Sequence, residues 1–411
     1  FFDSRGRGQY NAALARRSSG STLKPFLYAL AFDQRVSSPA TFLPDVPTPF
    51  ASYIPENYNR RYQGPVPAAE ALARSLNIPA VRLQQRVGTG RYLDLLQRCG
   101  FNSLYRRPQD YGLTLCVGGG EISLLDLAGA YTVFPGLGLW RPPGILATAG
   151  ADRRRSRRIF SPGAAAAVLA ALSTPDHLYR SGVMPQGYYG PSLGYKTGTS
   201  FGLRDAWTVA FSSSWIVAVW MGDVRGRSRS TLIGAKAALP LALPLCLELS
   251  GGNLPGWPET RELAEADVCA LSGYPPGPHC GSRRRVMLPL RSLGMPACRV
   301  HREVLVDESR GLEVCGCCLD GSATGTVVRK QVVDWPPEMA GWLERNVSSV
   351  TDRLPHDPAC NGGSLARSPE IVTPVDGSRF RLVRGASFRQ RLQFSAVAVA
   401  DARKLFWFVD G

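Results

Sequence analysis

Three short segments place hydroxyls and lysines at spacings suited to acyl transfer. The first is Gly20-Ser21-Thr22-Leu23-Lys24-Pro25-Phe26. A lysine three residues after a serine lies on the same helical face and can reach its hydroxyl. Burial favours the neutral amine, which can then accept the serine proton. Taken alone, the segment is equally a helix-capping serine followed by an exposed lysine. The second is Ser75-Leu76-Asn77. Its hydroxyl could relay a proton, and its amide could hold a peptide or orient the lysine; by itself it is also an ordinary capping turn. The third is Lys196-Thr197-Gly198-Thr199-Ser200. Here Lys196 offers fixed positive charge for a carboxylate, and Gly198 would let a substrate backbone approach closely. The amides of Thr199 and Ser21 could together form an oxyanion hole.

The elements that must position these groups follow from the spacing of apolar residues. Leu23, Phe26, Leu27 and Leu30 recur at helical intervals, and Pro25 fits a first turn, so Ser21 is expected at or just before a helix start. Its N-terminal amides would favour negative charge near Ser21 Oγ. Alanine-rich Pro67 to Arg74 and then Pro79 to Val87 read as two helices, with Ser75 and Asn77 in the turn between them. Lys196 and Gly198 share one face of a strand. Ala206–Phe211 and Trp215–Trp220 follow as two further strands of an antiparallel meander.

S-x-x-K, S-x-N and K-T-G in that order form the set shared by penicillin-binding proteins and class A β-lactamases. Over residues 1–250 the chain resembles the transpeptidase domain of class A penicillin-binding proteins, through Gly20 to Leu30, Arg74 to Val81, Gly118 to Leu124 and Lys196 to Ser200. The resemblance implies an α+β fold of the penicillin-binding and serine β-lactamase type, an antiparallel sheet flanked by helices with its first strands missing. It implies a D-alanyl-D-alanine transpeptidase that cross-links peptidoglycan stem peptides through a serine acyl-enzyme and is the target of β-lactam antibiotics. Ser21 would be the nucleophile, Lys24 the base and Ser75 the proton relay. Asn77 would contact the donor amide. Lys196, Thr197 and Thr199 would bind its carboxylate, with Gly198 completing the site. The parent would also carry a glycosyltransferase domain acting on the lipid-linked precursor, at the periplasmic face of the bacterial inner membrane. A D,D-carboxypeptidase or serine β-lactamase is the enzymatic alternative, although Leu76 stands where the β-lactamase form has Asp. A non-catalytic β-lactam sensor or scaffold is the other alternative, but no motif residue is missing.

Composition bounds these readings. The 411 residues carry a formal charge of +16 and 44% hydrophobic residues, a globular balance. The basic residues are dispersed apart from Arg153 to Arg158, a solvated loop or an anion patch, and no nucleic-acid motif accompanies them. An acidic wall polymer or membrane surface is the more plausible attractor. Only five lysines occur, Lys24, Lys196, Lys236, Lys330 and Lys404. Arginine cannot serve as a base, so each lysine is worth inspecting. The apolar stretch Leu232 to Leu249 is interrupted by Lys236, Pro240 and Pro244 and is not expected to span a membrane; any anchor is expected upstream of Phe1. Both ends read as cuts in a longer protein. The segment alone is therefore expected to label poorly with a fluorescent penicillin and the full parent well.

Seven of the ten cysteines fall between Cys269 and Cys360. This shift marks a Cys-rich connecting region, 251–366, between the transpeptidase part, 1–250, and a truncated β-sandwich-like domain, 367–411. Disulfides are the favoured expectation for the cysteines. Free thiols are an alternative, and so is zinc, through Cys298-x-x-His301 with Cys315-x-Cys317. No metal site and no cofactor is assigned. The histidines, His177, His279, His301 and His356, form no recognisable nucleophile-base pair.

Overall fold

The computed structural model describes residues 11–50, 53–144, 156–183, 192–251, 254–319, 325–347, 354–358, 360, 370–373 and 394–397. Contacts along the chain divide it into two compact units. The first takes Phe1–Leu43, Val66–Val268 and Arg285–Pro296; the second takes Pro44–Pro65, Cys269–Arg284 and Ala297–Gly411. The composition boundary near residue 250 falls inside the first unit, which runs on to Val268.

The first unit is built around α1 (Lys24–Asp33), whose residues from Lys24 to Phe32 are all buried. A helix that is apolar on every side must be enclosed, and α1 is packed by α2 (Ala68–Ala73), α3 (Asn77–Val87), α4 (Thr89–Arg98) and, beyond α5 (Leu124–Tyr131), by α6 (Pro162–Leu172). Phe26 anchors it, with ring centroids 5.6 Å from Phe101, 5.3 Å from Tyr131 and 5.1 Å from Phe134. Pro25 occupies the first turn of α1, where a missing N–H leaves nothing unsatisfied.

The sheet consists of β1 (Gly194–Thr199), β2 (Asp205–Phe211) and β3 (Ile216–Gly222), with β2 in the middle and both pairings antiparallel. Every residue of β2 is buried, the polar Asp205 and Thr208 among its apolar neighbours included. Helix α7 (Leu239–Leu249) packs on β2 and β3. The unit is therefore the expected α+β arrangement of antiparallel sheet and flanking helices. Among the described residues no helix is long and apolar enough to cross a membrane; α7 has eleven residues with Pro244 inside.

Two local expectations shift. Asn77 does not lie in the turn before the helix but is the first residue of α3, with Pro79 accommodated in the opening turn. The turn is made through a left-handed backbone at Ser75, φ +58°. Of the arginine run, Arg157 and Arg158 form a two-residue strand paired with Leu139–Trp140, and the Arg157 guanidinium sits 4.5 Å from the Trp140 ring centroid; Arg153 to Arg155 lie outside the described residues.

The second unit holds a smaller sheet, β4 (His301–Asp307), β5 (Leu312–Val314) and β6 (Val327–Val333), with β4 in the middle and antiparallel to both neighbours. Val304, Val306 and Val332 form its core. Helix α8 (Pro337–Asn346) buries Met339, Ala340 and Leu343 with Val46 and Trp335. The favoured disulfides are not present: none of the ten cysteines is disulfide-bonded. The reason is geometric, since six of them gather in threes around a histidine rather than in pairs. Of the expected C-terminal β domain, Glu370–Thr373 pairs antiparallel with Ser395–Val397, and the other residues of 367–411 except Phe394 lie outside the described residues.

Candidate active site

Ser21 sits in a 3₁₀ turn, Gly20–Leu23, that runs directly into α1, and the Lys24 N–H donates to the Ser21 carbonyl. Ser21 is half-buried while its neighbours Gly20 and Thr22 are buried, so of this turn the nucleophile candidate is the residue left accessible. The turn is held from several sides. Tyr92 Oη donates to the Leu23 carbonyl at 2.8 Å and Tyr131 Oη to the Thr22 carbonyl at 2.6 Å. Both phenols are pushed well above their ordinary value by burial, so they stay protonated and remain donors. Trp207 Nε1 donates to the Ser18 carbonyl at 2.8 Å. Behind the turn lies Gly118, at φ +108°. A Cβ there would come 2.8 Å from the Gly20 nitrogen.

Strand β1 lies backbone to backbone against this turn. A Cβ on Gly20, itself at φ +54°, would meet Thr199 O at 2.5 Å and Thr199 N at 2.6 Å; one on Gly198 would meet Ser19 O at 2.5 Å. Gly198 thus admits the nucleophile turn rather than a substrate backbone, which corrects the reason given for it from sequence. The Ser200 N–H donates to the Asp205 carbonyl at 3.0 Å. Antiparallel pairing alternates, so the Thr199 N–H is turned away from β2, towards the side where the Ser21 turn approaches. The Thr199 hydroxyl accepts from Gly234 N at 3.0 Å, so the side chain already has a structural partner.

The two lysines converge on Ser75-Leu76-Asn77. Lys24 Nζ donates to Ser75 O at 2.7 Å, Leu76 O at 2.9 Å and Asn77 Oδ1 at 2.7 Å. Such oxygen acceptors suit an ammonium, whereas burial works towards the uncharged amine expected from sequence. Lys196 Nζ donates to Ser75 Oγ at 2.7 Å and Thr197 O at 2.8 Å. Lys196 is pulled well below the ordinary lysine value, first by burial and then by the positive charge of Lys24. Burial and the Lys24 charge thus both work against the fixed positive charge that sequence suggested. Residues 24, 75, 77 and 196 meet in one hydrogen-bonded group, and the turn of Ser21 adjoins both its α1 end and β1.

Tyr92, Tyr131 and Gly234 escaped the sequence reading. Nothing local marks them, because each acts on a segment tens of residues away; the Gly118-Gly119-Gly120 run was the one visible sign of the close packing behind Ser21. His177 is excluded from proton transfer at Ser21 by its setting: its Nε2 lies 3.1 Å from the Tyr195 carbonyl, its ring stacks on Tyr195, and burial pushes it down to about 4.

The profile of the penicillin-binding protein transpeptidase domain matches residues 6–219, just over half of the chain. The chain belongs to this family. Among curated relatives, penicillin-binding protein 1C of Escherichia coli (strain K12) is 29% identical over 96% of this chain and 51% of its own length. Penicillin-binding protein 1F of Bacillus subtilis (strain 168) is 30% identical over 52% of this chain and 31% of its own. The chain thus spans about half the length of the first of these relatives or less. Covering 96% of this chain, the match to the 1C protein extends well beyond residues 6–219. Penicillin-binding protein 1A from Haemophilus influenzae shares the fold with a TM-score of 0.55 at 21% identity, covering 71% of this chain and 50% of that one. PonA1 from Mycobacterium tuberculosis does so at 0.52 and 22%, covering 61% and 74%.

Proposed function

We propose that the first unit is a D-alanyl-D-alanine transpeptidase working through an acyl-enzyme on Ser21. The observation that carries this is the Ser75 hydroxyl, held by Lys196 within a network that also binds Lys24, beside the turn that presents Ser21. Ser21 Oγ attacks the carbonyl carbon of the penultimate D-alanine of a stem peptide and gives its proton to Lys24. To accept it, Lys24 must first pass a proton to Lys196 by way of Ser75, which both lysines contact; repulsion between two buried amines favours having only one of them charged at a time. The negative charge on the carbonyl oxygen is met by the amides of Ser21 and Thr199. As the peptide bond breaks, the departing D-alanine nitrogen takes a proton through Ser75 from Lys196. The ester then passes to an amine of a neighbouring stem, which frees Ser21 and returns its proton. A β-lactam ring opens on the same hydroxyl, with its nitrogen in the place of the departing amine.

Thr197 and Thr199, on the strand edge, are proposed to receive the donor carboxylate, and Asn77 to serve chiefly as the acceptor that aims Lys24. The parent would pair this activity with a glycosyltransferase acting on lipid-linked precursor, in the cell envelope; the likeness to penicillin-binding proteins of the 1A and 1C type supports that reading. The test is a labelling time course with a fluorescent penicillin. Expected is a stable adduct in the natural protein and none in Ser21→Ala. Rapid turnover of the penicillin would instead favour a β-lactamase, and release of D-alanine without cross-linking a carboxypeptidase.

A further inference from the structure

The second unit contains two clusters of the same composition. Cys269, Cys280, Cys298 and His301 form one, and Cys315, Cys318, Cys360 and His356 the other; in each, the four ligand atoms lie within 4.8 Å of one another. We propose that each cluster binds one structural Zn²⁺ ion, making this unit a two-zinc module.

The geometry argues for a tetrahedron around a missing centre. In the first cluster His301 Nδ1 lies 3.4 Å from Cys269 Sγ, 3.5 Å from Cys280 Sγ and 3.5 Å from Cys298 Sγ. In the second, Cys315 Sγ is 3.6 Å from Cys318 Sγ and 3.5 Å from Cys360 Sγ, and Cys318 Sγ is 3.5 Å from His356 Nε2. Zinc bonds of about 2.3 Å to sulfur and about 2.0–2.1 Å to nitrogen put neighbouring corners of a tetrahedron about 3.6–3.8 Å apart. The observed edges agree to within a few tenths of an ångström. Three cysteines with one histidine is a closed structural donor set, with no position left for water or substrate. Pairwise disulfides would leave one sulfur over in each cluster and give the histidine no part.

The surrounding backbone is arranged as such sites require. Cys269 begins a tight turn in which Gly273 N donates to the Cys269 carbonyl and Cys269 N to the Tyr274 carbonyl. Cys298 N donates to Pro275 O at 2.8 Å, and Gly277 N donates to Cys280 Sγ at 3.3 Å, a contact that stabilises a thiolate. Cys269, Cys280 and Cys298 are buried with Tyr274 and Val300 around them. In the second cluster Cys318 N donates to Cys315 O and Cys360 N to Asp357 O, each at 3.0 Å, and Arg310 clamps Asp357 with bonds of 2.6 and 3.0 Å. The spacing seen in sequence had grouped Cys298 and His301 with Cys315 and Cys317. The fold separates them, and exposed Cys317 belongs to neither cluster.

Metal analysis of the purified full protein, coupled to thiol counting by alkylation before and after chelation, tests the proposal. Two equivalents of zinc per chain are expected, with the six cluster cysteines resisting alkylation until zinc is stripped. Cys280→Ser and Cys360→Ser should each lower zinc to about one equivalent, and Cys317→Ser should leave it at two. The thiol count on unmutated protein keeps the test decisive if a variant fails to fold. A metal-free protein, whether its cysteines are found as disulfides or as freely alkylated thiols, overturns the proposal; so does stoichiometric iron in place of zinc. Penicillin labelling of Ser21 is scored separately, so either reading can fail without the other.

Discussion

Two ammonium-bearing side chains buried within one hydrogen-bonded group cannot both keep full charge cheaply, and the consequences are measurable at single residues. Lys196 carries the strain: burial and the Lys24 charge both pull it down. In the unfolded chain it returns to the ordinary value of 10.5, so between the folded and unfolded values the unfolded state binds the extra proton. Stability should therefore rise with pH through that window, and the penalty should be full below it. Urea unfolding at several pH values should show this rise in the natural protein and a flatter profile in Lys196→Met; identical profiles would contradict it. Asn77→Ala removes one acceptor from Lys24. A hydrogen bond to a charged group is worth about 1.5–3 kcal/mol, so acylation should slow by about 10- to 100-fold, as read from stopped-flow labelling. The residue types here were legible in the sequence, because lysine is scarce in this chain and three motifs appear in order. Their charge states were not. Whether Lys24 is neutral depends on how many acceptors surround it, and two of the three are main-chain carbonyls that no motif names.

At the scale of elements, the site depends on a strand and a 3₁₀ turn meeting without side chains between them. Gly198→Ala would drive a Cβ to 2.5 Å from the Ser19 carbonyl, and since both sides are backbone the strand must move. The expected cost is about 1–3 kcal/mol of stability, with acylation largely lost. Gly202→Ala provides the contrast: its φ of +76° strains the turn, yet the nearest atom is Arg204 Nε at 3.8 Å. That variant should lose stability by about 1 kcal/mol and acylate normally once folded. Equal acylation in the two variants would show that the strand-turn contact is not what places Ser21. The meander β1–β2–β3 was legible from its strand-like runs and the turns joining them, and α1 from its apolar spacing. The start of α3 at Asn77 was not, since it rests on the left-handed backbone of Ser75, a non-glycine conformation that sequence does not advertise.

At the scale of the molecule, the chain divides into two compact units, and a different chemistry is assigned to each. The transpeptidase family assignment was legible because its motifs are local strings; the second unit was harder, because its cysteine clusters are assembled from pieces up to 45 residues apart. If the units unfold separately, calorimetry should resolve two transitions, with penicillin acylation raising one and zinc chelation lowering the other. One transition shifted by both treatments would contradict that separation. The central claim, that Ser21 is the acylated nucleophile, is tested most directly by intact-mass analysis of the protein as the cell makes it, after treatment with benzylpenicillin, followed by peptide mapping. The account predicts a single adduct on the peptide containing Ser21, absent from Ser21→Ala. No adduct in the natural protein, or one that persists in Ser21→Ala, would contradict it.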